Sequence, residues 1–208
     1  MYDLPYFKEN DRAIIIEFIK NHPFGMLIGS GANGPSATQL PFLLEERNNK
    51  FYLQAHFMKG TDHHKAFHAN SNALCVFTGA QAYVSASWYQ QPKTASTWNY
   101  MSVHCRGVIE FQTEAWLMEI LEKTTAYFEN NPQSPASFQH LSPKYVSRLA
   151  KAIIGIEIEV KSLDAVFKLS QNADKESYDS IINKLEAKNE KEKEIATEMR
   201  KRKASLFP

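Results

Sequence analysis

Two clusters in this sequence combine residue types suited to chemistry. The first lies between Gln81 and Gly107, where Tyr83, Ser85, Ser87, Trp88 and Tyr89 precede a polar loop and Thr97, Trp98, Asn99 and Tyr100 follow it. Trp88, Tyr89, Trp98 and Tyr100 thus bracket one loop with large aromatic rings. A flat, amphipathic ligand ring needs faces to stack on and hydrogen-bonding groups at its rim, and this segment supplies both. The same rings would equally cover the end of a barrel or form a contact between copies of the chain, because aromatics are common in cores and interfaces. Spacing alone leaves both readings open.

The second cluster is His56-Phe57-Met58-Lys59-Gly60-Thr61-Asp62-His63-His64-Lys65. It reads as a strand end running into a loop and a short helix. Backbone N–H groups at the helix start, with Lys59 and Lys65 as point charges, would suit a phosphate. His56, Asp62, His63, His64 and His68 are also metal-ligand types. Adjacent His63 and His64 diverge by about 100° on a helix, however, which disfavours a shared ion, and a metal is not expected. A plain solvated loop is the third reading.

Other chemistry lacks its signature. No serine sits in a Gly-x-Ser-x-Gly elbow, and neither Cys75 nor Cys105 has the electropositive surroundings of a reactive thiolate. Walker and Gly-x-Gly-x-x-Gly phosphate loops are absent from the sequence. His22, His104 and His140 are isolated and read as surface or hydrogen-bonded histidines.

The elements that must position these clusters follow from pattern. With 208 residues, 43% apolar and 23% charged, the chain suits one sizeable core with appendages. A net charge of +1 provides no global field toward nucleic acid or membrane. Cys75 and Cys105 lie in apolar runs, which suits two buried thiols in a reducing compartment better than one disulfide. No stretch approaches the roughly 20 apolar residues of a membrane helix, and a cytoplasmic protein without membrane contact is expected.

Asn10 or Asp11 caps a helix carrying Ile14, Ile15, Phe18 and Ile19, which Pro23 stops. A hairpin turns at Gly31 to Pro35, and Arg47-Asn48-Asn49 turns the chain into Phe51-Tyr52-Leu53. A short helix around Lys65 to Phe67 precedes a strand over Ala73 to Phe77. Alternation predicts strands after Tyr100 and again over Ile154 to Val160, with a helical pair between them marked by Trp116, Ile120 and Phe128, then Tyr145 and Leu149. Ala165-Val166-Phe167 reads as a last short run. Beyond Asn172 the composition turns to Glu and Lys, predicting a long charged helix whose Ile181, Ile182 and Leu185 pack inward and whose Glu190/Lys193 and Glu198/Arg202 pairs support an exposed face. Six or more strands with helices make an α+β chain, with residues 1–172 as the domain and 173–208 as a helical extension.

Seven ordered segments together resemble the PaiB-type FMN-binding negative transcriptional regulators. They are Met1-Tyr2 leading to Pro5; His22-Pro23-Phe24-Gly25; Leu40-Pro41-Phe42-Leu43-Leu44; Gln81 through Tyr89; Thr97-Trp98-Asn99-Tyr100 with Val103, His104 and Gly107; Ile154-Gly155-Ile156-Glu157-Ile158; and Lys168-Leu169-Ser170-Gln171-Asn172. The chain departs from the family pattern at Ala55-His56, at Lys59 to His63, and at Gln39.

The resemblance implies an FMN-binding split β-barrel and a homodimer with FMN at the subunit interface. It implies that His56, Lys59, His64 and Lys65 serve the phosphate, and that Thr38, Gln39, Ser85, Trp98, Asn99, Tyr100, Lys168, Ser170 and Gln171 serve the flavin ring and its polar edge. A regulator or flavin-dependent sensor is the leading expectation. The alternative is an FMN-dependent oxidoreductase of the same fold with NAD(P)H and a small-molecule redox partner. Direct DNA binding is not expected: no helix-turn-helix is visible, and the basic run Arg200 to Lys203 is explained by a helix C-terminus.

Overall fold

The computed structural model describes residues 1–91 and 94–208. A 3₁₀ turn at Pro5–Phe7 and strand β1 (Lys8–Glu9) lead into helix α1 (Arg12–Asn21). Asp11 caps α1, its Oδ1 accepting the N–H groups of Ala13 at 2.8 Å and Ile14 at 3.3 Å. Strands β2 (Phe24–Gly31) and β3 (Gly34–Pro41) form a hairpin that pairs Gly31 with Gly34, where φ is +96°. A second hairpin joins β4 (Leu43–Arg47) to β5 (Lys50–Met58) through Asn48 and Asn49 at φ 50° and 63°, a left-handed pair that asparagine tolerates.

Then follow α2 (Asp62–Ala69), β6 (Asn72–Val84), a 3₁₀ turn at Ala86–Trp88, and β7 (Thr97–Phe111). The helical pair is α3 (Glu114–Glu129) and α4 (Pro143–Ala150), with a 3₁₀ turn at Phe138–His140 between them. Strand β8 (Ile153–Lys168) and helices α5 (Lys175–Glu186) and α6 (Glu190–Leu206) complete the order.

The strands form an antiparallel eight-stranded sheet in the order β3-β2-β6-β7-β8-β5-β4, with β1 on β8. β3 also packs against β5, far from it in the hydrogen-bonded order, so the sheet curls back toward itself. Contacts divide the chain into two units. The first holds Met1–Phe18, Thr78–Val103 and Asp164–Pro208; the second holds Ile19–Phe77 and His104–Leu163.

In the second unit, Leu27, Leu53, Cys75, Phe77, Cys105, Ile156 and Ile158 are fully buried, and Phe42 meets Phe77 edge-on at 5.5 Å. Both cysteines are free thiols, and burial raises both, Cys105 to about 12. Leu117, Ile120 and Ala150 pack the helical pair, and Trp116 lies over Gly155, where a Cβ would sit 2.9 Å from the indole. At Gly107 a Cβ would lie 2.2 Å from the backbone oxygen of Glu159. The Gly107 and Gly155 positions of the motif segments are therefore places of close approach.

In the first unit, the charged extension forms two helices rather than one. Asn189 restarts the chain by accepting the Lys191 N–H at 3.1 Å, as Asp174 starts α5 by accepting that of Ser177 at 2.8 Å. Both helices bury an apolar stripe: Tyr178, Ile181, Ile182 and Leu185 on α5, and Ile195, Ala196 and Met199 on α6. The expected ion pairs form, Lys193 to Glu190 at 2.6 Å and Arg202 to Glu198 at 2.5 Å. The basic run is internally neutralised. Arg200 binds Glu186, Lys201 binds Glu198, Arg202 also reaches Glu9 at 3.1 Å, and Lys203 meets Asp179 at 2.7 Å. Among the described residues, no helix is long and apolar enough to cross a membrane.

Candidate functional site

In the second unit the candidate residues gather where β5 turns into α2. His56 stands half-buried opposite Gly155 of β8, and burial lowers its pKa. The Lys59 side chain is exposed while its N–H donates to the Ala152 carbonyl at 2.9 Å. Gly60 takes φ +79° and donates its N–H to Nδ1 of His64 at 3.0 Å. Thr61 opens the helix, but its hydroxyl donates to the Met58 carbonyl at 2.9 Å rather than capping an N–H.

This arrangement fixes the state of His64. An imidazole that accepts at Nδ1 carries its proton on Nε2 when neutral. Nε2 is buried and has no partner among the described residues. Burial lowers the His64 pKa, aided by His68, His63 and Lys59. The ring therefore presents an unanswered donor. His63 does something else: it is buried against Phe57 at 4.7 Å, with its Nδ1 3.2 Å from Asp62. Among the described residues no group of three or more metal-ligating side chains assembles.

Lys65 lines a cleft of about 290 Å³ with Gly31, Asn33, Ser36, Asp62 and Ala66. Ser36 is buried there with its hydroxyl unpartnered. Its signal in the sequence is a serine at an inward position of the Ser36, Thr38, Leu40 alternation, where an apolar side chain is the default. Thr38 pairs with Leu27 and is partly buried, whereas Gln39 pairs with Met26 and is exposed on the other face of β3. In this cleft an unanswered hydroxyl and the exposed Lys65 ammonium fit an oxygen-rich anion such as a phosphate; His64 and Lys59 belong to the same β5–α2 turn but do not line the cleft.

The remaining candidates belong to the first unit. Lys168 is 7% exposed, and its Nζ donates to Thr97 Oγ1 at 2.5 Å and to the Trp98 carbonyl at 2.7 Å. Tyr2 and Phe7 place their rings within 6 Å of that ammonium, at 5.8 and 5.6 Å. Among the described residues no carboxylate pairs with it, and burial lowers its pKa. Trp98 is 54% exposed and meets Tyr83 edge-on at 5.9 Å, so these two rings form an open aromatic surface. Tyr100 is partly buried, its pKa raised by burial and by Tyr2.

Asn99 is fully buried, its amide accepting from Ser170 Oγ at 3.0 Å and donating to Met199 Sδ at 3.6 Å. Ser170 adopts φ +61°, and the Gln171 side chain folds back to the Leu169 N–H and the Phe167 carbonyl. Ser85 caps the 3₁₀ turn at Ala86–Trp88. Contacts from α5 and the residues after it hold this segment: Ser177 Oγ accepts the N–H of Gln90, just beyond the turn, at 2.9 Å, and Lys188, past the end of α5, lies 4.9 Å over Trp88. Sequence reasoning placed Thr97 in the aromatic cluster without its bond to Lys168, and missed Phe7 and Met199, because the partners are 71 or more residues away.

Comparisons with known proteins bear on the family and the fold. Residues 1–162 match the sequence profile of the family described as "Putative FMN-binding domain". The chain is 32% identical over 186 residues to the protease synthase and sporulation protein PAI 2 of Bacillus subtilis (strain 168), covering 89% of each. Among solved structures, a flavocytochrome from Azotobacter vinelandii aligns with a TM-score of 0.61 at 14% identity, covering 80% of this chain and 72% of that one. An FAD and heme binding protein from Mycobacterium smegmatis aligns with a TM-score of 0.57 at 16% identity, covering 77% and 73%. At these identities the structures establish the split-barrel fold alone.

Proposed function

The chain belongs to the PaiB-type FMN-binding family, and we propose that within it this protein acts as a homodimeric, flavin-dependent sensor that serves negative transcriptional regulation in the cytoplasm. Its cofactor is FMN. When bound, FMN supplies a ring that accepts and returns reducing equivalents. The chain's own residues hold and orient it.

The observation that carries the reading is the buried, unanswered Nε2–H of His64 in the β5–α2 turn. A buried donor left unpaired is costly, and the FMN phosphate would satisfy it, with Lys59 and Lys65 adding charge. The aromatic surface of Trp98 and Tyr83 and the ammonium of Lys168 suit the ring and its polar edge.

The dimer is supported by an apolar sheet surface in the second unit. Phe24 is 60% and Met26 38% exposed on β2, beside exposed Ala37 and Gln39 of β3. Such a patch is costly to leave in water and suits a second copy, which would place FMN at the subunit interface. The regulatory role is supported by likeness to a relative whose name joins it to protease synthesis and sporulation. A sensor acting through a protein partner or effector is favoured over direct DNA reading, since each cation from Arg200 to Lys203 is paired with a carboxylate.

The test is light scattering with flavin quantitation on the purified protein and on Met26→Lys. A yellow dimer with one FMN per chain, and a Met26→Lys variant that is monomeric and colourless, are expected. A monomer retaining stoichiometric FMN would overturn the interface. Transcript levels unchanged on deleting the gene would overturn the regulatory role.

A further inference from the structure

A larger cleft, of about 490 Å³, opens in the second unit between the end of α1, strands β4 and β5, and helix α3. Its size falls in the range of small-molecule sites. Ile19 and Phe42, each 2% exposed, form an apolar floor with Leu43 and Leu44. Tyr127 forms a wall, and its hydroxyl donates to the Lys20 carbonyl at 3.0 Å, tying α3 to the end of α1. The walls are thus set before any ligand arrives.

The charges around this cleft are lopsided. Lys20 and Lys123 line it, both are exposed, and neither has a carboxylate partner among the described residues. Its one acidic lining residue, Glu45, is already engaged: Oε2 accepts from Gln54 Nε2 at 2.6 Å and stands 3.7 Å from Arg47 Nε. The unanswered charge is therefore positive, at the edge of an apolar cavity.

We propose that this cleft binds a small monocarboxylate with an apolar body, at a site separate from that of FMN. The hydrocarbon would lie on Ile19, Phe42 and Leu44, and the carboxylate would sit between the two ammonium groups. The separation follows from β3. Ser36 lies in the smaller cleft, and Pro41, five residues on at roughly 3.3 Å each, ends the strand about 16 Å away, next to Phe42 of the larger cleft. The two clefts share no lining residue. Such a site gives a flavin-dependent sensor a second chemical input.

The full chain loaded with FMN is titrated calorimetrically with octanoate and, separately, with octanamide. Saturable binding of one octanoate per chain is expected, with octanamide weaker by about fivefold. The double variant Lys20→Glu/Lys123→Glu should weaken octanoate at least as much, and Ala126→Trp, which fills the cleft from an exposed position, should abolish it. Flavin absorbance reports the FMN site independently and should stay constant throughout. No saturation below about 10 mM octanoate, equal binding of the amide, or undiminished binding by Ala126→Trp would each overturn the proposal.

Discussion

The N–H of Gly60 donates to Nδ1 of His64 at 3.0 Å, and that single bond decides where the ring keeps its proton. Gly60 makes the bond from φ +79°, a left-handed conformation that favours glycine. With Nδ1 occupied as acceptor, Nε2 becomes a donor, buried without an acceptor among the described residues. A structural bond four residues long thereby prepares a binding group.

Removing that donor tests its purpose. His64→Ala should weaken FMN about tenfold or more in a fluorescence titration, in line with a hydrogen bond to a charged group. His64→Gln, which keeps an N–H donor of similar reach, should recover part of the loss. Equal FMN affinity in wild type and His64→Ala would remove the ring from the site.

The same histidines predict a pH profile. Burial holds both His56 and His64 below their ordinary value of 6.5. The unfolded chain therefore takes up protons near pH 6.5 that the folded chain refuses. The stability these rings contribute is complete above 6.5 and is lost as pH falls through their folded values. Urea midpoints for the wild type should drop from pH 7 to pH 5.5, and His56→Asn should drop less. A parallel fall in both proteins would contradict the assignment.

How far the sequence foretold this arrangement depends on what each segment packs against. Ile154 to Val160 sits in β8 with one face buried, so its alternation was visible; from Ala165 to Lys168 every residue is buried, the alternation vanishes, and the same strand read as a separate short run. The tail read as one helix because Glu and Lys dominate it, while its break depends on one asparagine cap at Asn189. At the β5–α2 turn the residue types Lys59, Gly60 and Lys65 allow a phosphate loop and equally a plain solvated loop. The turn's unanswered donor was not legible, because the tautomer follows from a bond between Gly60 and His64 that residue types alone do not specify.

Gly107 is a close-approach position, and its replacement should be severe. A Cβ there would stand 2.2 Å from the Glu159 oxygen, a backbone atom that cannot swing aside. Gly107→Ala should lower unfolding free energy by about 3 kcal/mol, the scale of an overpacked core. A loss under about 1 kcal/mol in urea unfolding would mean that β7 and β8 have room to part.

Arg202 should couple the C-terminal helix to the N-terminal strand. It bonds Glu9 at 3.1 Å and Glu198 at 2.5 Å and lies 5.0 Å over the Phe167 ring, with the Arg202 and Glu9 side chains 17% and 15% exposed. A double-mutant cycle on Glu9→Gln and Arg202→Met should give a coupling of about 1–2 kcal/mol, above that of exposed surface pairs. Additive effects would reduce the contact to a bystander.

Lys168 offers the sharpest contrast between charge and packing. Its ammonium is buried with two neutral acceptors, Thr97 Oγ1 and the Trp98 carbonyl, and burial lowers its pKa from 10.5. Near neutral pH the folded chain carries a charge it would sooner release. Above the lowered folded value it binds fewer protons than the unfolded chain, so stability gains from this group as pH rises toward 10.5. Lys168→Met removes the charge and keeps most of the volume, but leaves the Trp98 carbonyl without its donor. These effects oppose each other, and the variant should lie within about 1 kcal/mol of wild type at pH 7.5. As pH rises from 7.5 toward 10.5 the wild type should gain stability relative to Lys168→Met in urea unfolding. If the Thr97 and Trp98 bonds instead compensate the charge fully, the two profiles will run parallel, and Lys168 would be a structural strut rather than a held charge awaiting an anionic or electron-rich partner.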